Sequence, residues 1–229
     1  MNNSQSSQGE LIKMVFVRFL GAILVLSAMF FLPAGTLAYW EAWGYLAILF
    51  IPMLFVLFYL LKNDPGLLAR RMKTREREAE QKLIIKLSFI PFLLAFLLPG
   101  FDKRFGWSNV PVGMVVMADI LVLLGYSIVF LVFRENRYAS RVVEVEQEQT
   151  VISSGPYAMI RHPMYLGSLL LYILSPLALG SYWAMIPAIL IIPVIIARIR
   201  NEESVLARDL SGYQEYMQKT RYRLIPGMW

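Results

Sequence analysis

The sequence predicts an all-α, polytopic integral membrane protein of about six transmembrane helices that ends in a helical hairpin. Three observations carry that reading. Of 229 residues, 58% are hydrophobic and only 17% charged, far from the balance of a soluble domain. Several apolar runs reach the roughly 20 residues that cross a bilayer core. The basic residues crowd into loops that such a topology would place on one side of a membrane.

Taken in order, residues 1–10 are polar and expected to form a disordered lead-in. The run 11–32 is too long for a signal-peptide core and is expected to be retained as the first span. A second span covers 39–61 and is closed by the turn chemistry of Asn63-Asp64-Pro65-Gly66. The charged stretch 67–82 has helical composition and is expected at the membrane face, with the run from Arg70 to Glu80 solvated. A shorter third span, 83–98, carries Pro91, which removes a backbone donor and favours a kink. The fourth, 110–133, holds Asp119 near its middle, where an acid costs at least about 2.5 kcal/mol. That carboxyl is expected either to bond a neighbouring helix or to face a cavity.

The last two apolar runs, 164–179 and 182–197, are separated only by Gly180-Ser181 and read as a tight hairpin, tilted or not fully crossing. Pro187 and Pro193 interrupt the second of them. Beyond Ala197 the helix is expected to continue as a polar segment through Leu210, where Ser211-Gly212 stops it. Trp40, Trp43, Trp107, Tyr182 and Trp183 fall near span ends, as interfacial anchors do.

Charge sets the orientation. One loop holds Lys62, Arg70, Arg71, Lys73, Arg75, Arg77 and Lys82, and the next holds Arg134, Arg137, Arg141 and Arg161. The opposite side offers little beyond Lys103 and Arg104. By the positive-inside rule both termini and the long loops face the cytoplasm. The net charge of +6 is therefore chiefly a topology signal. It suits anionic membrane lipids as partners, not nucleic acid. With no cysteine and one histidine, thiolate chemistry is excluded and a histidine-rich metal site cannot be built, so no metal is expected.

Two blocks carry chemistry. The first is Gly155-Pro156-Tyr157 followed by Arg161-His162-Pro163-Met164-Tyr165-Leu166-Gly167, a turn-rich block that contains the single histidine. The second is Arg198-Ile199-Arg200-Asn201-Glu202-Glu203, where Arg198 and Glu202 share a helix face at i, i+4. Taken alone, that pair is an ordinary helix-end salt bridge and His162 an ordinary interfacial histidine. Phosphate-cradling glycine loops and Gly-x-Ser-x-Gly elbows are both missing. There is no internal repeat of the kind inverted-repeat transporters carry.

These blocks, followed by Gly212-Tyr213-Gln214-Glu215-Tyr216 and by Tyr222-Arg223-Leu224-Ile225-Pro226-Gly227-Met228-Trp229, resemble the C-terminal signature of the isoprenylcysteine carboxyl methyltransferase family. That family belongs with the membrane phospholipid N-methyltransferases. The resemblance covers 147–229 and divides the chain into a lead-in (1–10), acceptor-shaping helices (11–146) and a methyltransferase core (147–229). It implies an S-adenosylmethionine-dependent enzyme with a cytoplasmic cofactor site and a lipophilic acceptor, either a small molecule or a lipid-modified one. Gln149, Thr150, Val151 and Ile152 match the segment lining the cofactor, and Gln149 stands where some members carry histidine. Tyr157, His162, Pro163, Met164 and Tyr165 match the core cofactor motif. Glu202 matches the acid holding the cofactor's amino-acid end, and Arg198 the arginine facing the acceptor.

The chemistry of the donor agrees. A carboxylate complements its ammonium, with Glu203 beside Glu202 as a second candidate or, about 100 degrees around the helix, only a solvated residue, and Arg161 or Arg200 suits its carboxylate. Tyr157, His162 and Tyr165 offer flat faces to adenine or sulfonium. Tyr213 and Tyr216 are expected to pack the tail. Two other readings stay open. The Tyr222–Pro226 ending also resembles NADPH-using membrane sterol reductases, and a scaffold or transporter would need no cofactor.

Overall fold

The computed structural model describes residues 2–72, 79–140, 142 and 145–229; Lys73, Arg75, Arg77 and Arg141, counted above as loop cations, lie outside them. Helices α1 (Asn2–Ala34), α2 (Trp40–Asn63), α4 (Ala79–Phe105) and α5 (Val112–Glu135) are each long and apolar enough to cross a membrane. Between α2 and α4 lies the short α3 (Pro65–Met72). After α5 come a 3₁₀ turn (Gly155–Ala158), α6 (Pro163–Ala178), α7 (Met185–Ile189), α8 (Ile191–Asp209) and α9 (Tyr213–Lys219). No strand occurs among the described residues.

Several boundaries differ from expectation. Helix begins at Asn2, inside the stretch expected to be a disordered lead-in. The third span is 27 residues long: Pro91 and Pro99 both sit inside α4 without ending it. The sixth run is split at Leu190, between Pro187 and Pro193, where the missing proline donors leave the backbone free to change register. Helix α8 then carries the polar segment to Asp209, and Gly212, at φ 81°, makes the left-handed stop. Leu67 and Leu68 of α3 are fully buried, so α3 packs one face inward, and most of the run from Arg70 to Glu80 lies outside the described residues.

Helix pairs close to backbone contact hold the bundle. On α5 and α6 two glycines face one another: a Cβ on Gly167 would lie 2.6 Å from the Gly125 carbonyl, and one on Gly125 would lie 2.7 Å from the Gly167 carbonyl. Small residues let membrane helices approach in this way. Gly100 of α4 packs as tightly on α1, 2.6 Å from the Phe30 carbonyl by the same measure. We expect Gly167→Ala to cost about 1–3 kcal/mol, because a backbone carbonyl cannot yield. Gly113→Ala on the same helix pair, where a Cβ meets nothing within 4 Å, should be silent. Thermal melting in detergent compares the two.

The bundle has two distinct ends. At one, Arg18 of α1 donates to the Met72 carbonyl (2.6 Å), which ties α1 to the end of α3, and Arg71 donates to the Ser140 carbonyl (3.3 Å). At the other, buried Asp102 accepts from Ser108 N and Oγ (both 2.7 Å) and from Ser181 Oγ (2.5 Å). Lys103 bonds Glu41 there (3.1 Å), and Trp40, Trp43, Trp107 and Trp183 are exposed around the same rim. Polar locks at both ends leave the apolar middle to dispersion packing.

Candidate functional site

A cavity opens at the end where α5 stops and α6 starts. It is walled by the chain following α5, the 149–152 loop, the 3₁₀ turn, the first turn of α6, the polar half of α8 and α9. Local chemistry explains each wall. Asn136 ends α5, its Oδ1 accepting from Tyr138 N (2.8 Å) and its Nδ2 donating to Tyr157 Oη (2.9 Å). The loop before Gln149 is pinned by Gln149 Oε1, which accepts from Glu146 N (2.9 Å), with Glu148 left-handed at φ 60°. Gly155 begins the 3₁₀ turn at φ 55° and lies under the Glu135 side chain, which Ser154 Oγ also bonds. Pro163 starts α6 at a position where its lost donor costs nothing.

Of the residues singled out from sequence, Gln149, Thr150, Val151, Ile152, Tyr157, Arg161, His162, Met164, Tyr165, Arg198 and Glu202 all line this cavity. Stretches that are far apart in the chain thus converge on one space. Pro163, Glu203 and Arg200 do not line it. The sequence reading missed Asn136, Tyr138 and Ser140, and assigned Tyr213 and Tyr216 to packing alone, although all five are in the wall. The only prior signal for the first group was the turn-forming Asn136 at the end of an apolar run.

At the α6–α8 junction, Tyr165 Oη donates to Glu202 Oε2 (2.5 Å) and accepts from Arg198 Nε (2.9 Å). The i, i+4 pair on α8 is therefore joined through a tyrosine of another helix. Helix α8 is fixed from its far side by Gln81 of α4, which is fully buried and donates to Asn201 Oδ1 (2.7 Å) and to the Arg198 carbonyl (3.3 Å). Asn201 in turn bonds Glu80. The backbone carrying Arg198 and Glu202 is thus held on two sides.

Glu203 points the other way. It is 6% exposed, which overturns the reading of a solvated residue. Its Oε1 accepts from Arg161 Nε (2.7 Å) and lies 3.2 Å from His162 Nε2, while Oε2 accepts from Arg223 Nε (2.7 Å). Burial alone would raise this carboxyl. Hydrogen bonds from His162, Arg223 and Arg161, with the charge of His162, outweigh burial and bring it down to about 2. Arg161 also donates to the carbonyls of Thr220 (3.0 Å), Arg221 (3.1 Å) and Met217 (3.3 Å). Backbone bonds from Arg161 N to Tyr222 O and from His162 N to Arg223 O (both 2.9 Å) complete a clasp between the motif and the tail. Glu203 is therefore engaged with protein and does not line the cavity, whereas Arg161 lines it while bonded to Glu203 and to the tail.

Asp119 lies outside the cavity, 8% exposed beside Gly44 of α2, and its Oδ1 has no hydrogen-bond partner. Among the described residues no three His, Asp or Glu side chains stand close enough to hold a metal ion.

Most of the wall, most of α5 to α8, and Arg161, His162 and Glu203 of the clasp fall inside one matched region. Residues 114–211 match the family model described as phospholipid methyltransferase. That stretch of the chain is similar to phospholipid methyltransferases. Isoprenylcysteine carboxyl methyltransferases belong to that family, so the match agrees with the resemblance read from the motifs. The cobalt-zinc-cadmium resistance protein CzcN of Cupriavidus metallidurans is 26% identical over 136 residues, 57% of this chain and 57% of that protein. The chain thus spans just over half the length of the curated relative it matches.

Proposed function

We propose that this domain is an S-adenosylmethionine-dependent methyltransferase acting on a lipophilic acceptor that enters from the bilayer, as isoprenylcysteine carboxyl methyltransferases do. The observation that carries the reading is the convergence of an acid, an arginine and an aromatic set on one cavity: Glu202, Arg198, Tyr157, His162 and Tyr165. This donor set fits the cofactor's chemistry. Glu202 complements the ammonium, and the flat rings accept adenine or sulfonium. The 149–152 loop supplies backbone groups along the same wall.

When bound, S-adenosylmethionine supplies an electrophilic methyl group on a cationic sulfur. The protein's task is then alignment, which contributes several kcal/mol to such a displacement. Glu202 holds the donor's charged end and Arg198 steers an anionic acceptor group. A carboxylate acceptor is already ionised and needs no base. An amine acceptor has a proton to lose, and Glu202 or a water takes it. A cytoplasmic position for this end of the bundle and for both termini is supported by the one-sided cations.

Calorimetric titration of the detergent-purified protein with S-adenosylhomocysteine, with NADPH in a parallel cell, tests the reading. Micromolar binding of S-adenosylhomocysteine alone is the expected result. Binding of NADPH alone moves the protein to reductase chemistry. Binding of neither leaves a membrane scaffold or transporter.

A further inference from the structure

We propose that the Tyr165 hydroxyl is a positioning group that ties the acid of the cavity to its arginine, so that the charged end of the donor and the acceptor-facing cation share one frame. This rests on the methyltransferase reading above and assigns Tyr165 a role distinct from ring stacking. A phenol has one proton to give. With Glu202 Oε2 at 2.5 Å and Arg198 Nε at 2.9 Å, the directions are forced: the guanidinium donates to Oη, and Oη donates to the carboxylate. Such a chain is polarised end to end, each bond strengthening the next. Both ends line the cavity, so the relay joins two groups that ligands would touch.

The fold fixes where this hydroxyl sits. Tyr165 comes two residues after Pro163 on α6, while Arg198 and Glu202 are successive turns of α8. Gly167, two residues further along, sets the close α5–α6 contact, so the height of Tyr165 is fixed by backbone and not by its own side chain. Gln81 fixes α8 through the Arg198 carbonyl and Asn201. The hydroxyl therefore bridges two independently anchored helices.

The ring of Tyr165 also lies 5.7 Å from that of His162, so stacking is the competing account of its presence in the motif. Phenylalanine separates the two, since it keeps the ring and removes the hydroxyl. We expect Tyr165→Phe to weaken S-adenosylhomocysteine binding about tenfold, the scale of one lost hydrogen bond to a charged group. Arg198→Met should weaken it about threefold with Tyr165 present and by clearly less when combined with Tyr165→Phe. Melting of each ligand-free variant in detergent confirms folding, and that readout should not change with the coupling. Parent-like binding by Tyr165→Phe would overturn the relay in favour of stacking. Equal losses from Arg198→Met in both backgrounds would also overturn it, because independent groups add. A parent that binds no S-adenosylhomocysteine removes the methyltransferase reading itself, an outcome visible before any variant is made.

Discussion

Glu203→Ala is expected to be the most damaging single substitution in the C-terminal third. Glu203 neutralises Arg161 and Arg223 and meets His162, all within 3.2 Å. Removing it leaves two guanidiniums facing each other without a counter-ion, and breaking a buried pair from one side costs about 3–5 kcal/mol. The tail keeps its two backbone bonds but is held less firmly, because the Arg161 bonds to the carbonyls of Met217, Thr220 and Arg221 rely on a guanidinium that Glu203 positions. The variant should melt earlier in detergent and be cut faster by trypsin after Lys219 and Arg221, which are exposed but lie on an ordered segment. A melting curve and tail cleavage identical to the parent's would show that the clasp is incidental.

Acid provides an independent check on the same carboxyl. Its folded value of about 2 lies below the ordinary 4.5, so the unfolded chain binds the extra proton between those limits. Stability from Glu203 is thus complete above about pH 4.5 and is lost as pH falls toward 2. The stability gap between parent and Glu203→Ala should narrow over that window and nowhere else above it.

How far the sequence foretold this arrangement depends on the range of the interactions. The all-helical membrane class, the long spans and the polar extension of α8 follow from hydropathy and local turn chemistry, and all appear. Gly155 and Gly212 stood out as turn residues, and both adopt left-handed backbone. The length of α4 was missed because its ends are charged and two prolines interrupt it. Within a helical bundle neither feature stops a helix whose apolar face is covered.

The errors of role come from long-range packing. Helical geometry put Glu203 about 100 degrees from Glu202. It gave no sign that residues 220–223 fold back over that face. Glu203 therefore read as a solvated residue or a second ligand acid when it is an internal counter-ion. Arg161 does line the cavity, but its bonds to the tail carbonyls were equally invisible in the sequence. Asn136 and Ser140 escaped notice because a loop after a span has no periodicity, and only the folded chain brings it beside Tyr157 and Met164. Motif residues whose partners are close in sequence were legible; those answered by the tail were not.

Glu202 and Arg198 provide the sharpest functional comparison. Both line the cavity and share a helix face, yet the proposed function gives them different work. Glu202→Ala removes the carboxylate opposite the cofactor's ammonium, an interaction worth about 1.5–3 kcal/mol, so S-adenosylhomocysteine affinity should fall by about 10- to 150-fold. Arg198→Ala is expected to reach that affinity chiefly through Tyr165, so the loss should be about threefold. Its main effect belongs to methyl transfer once an acceptor is supplied, because a guanidinium that steers the acceptor counts fully only in the aligned complex. Calorimetry on the two variants separates these effects without knowledge of the acceptor. Equal losses of affinity would sink the division of labour and make the pair one binding unit. A large loss for Glu202→Ala beside a small one for Arg198→Ala would mark the arginine as the group that selects what is methylated.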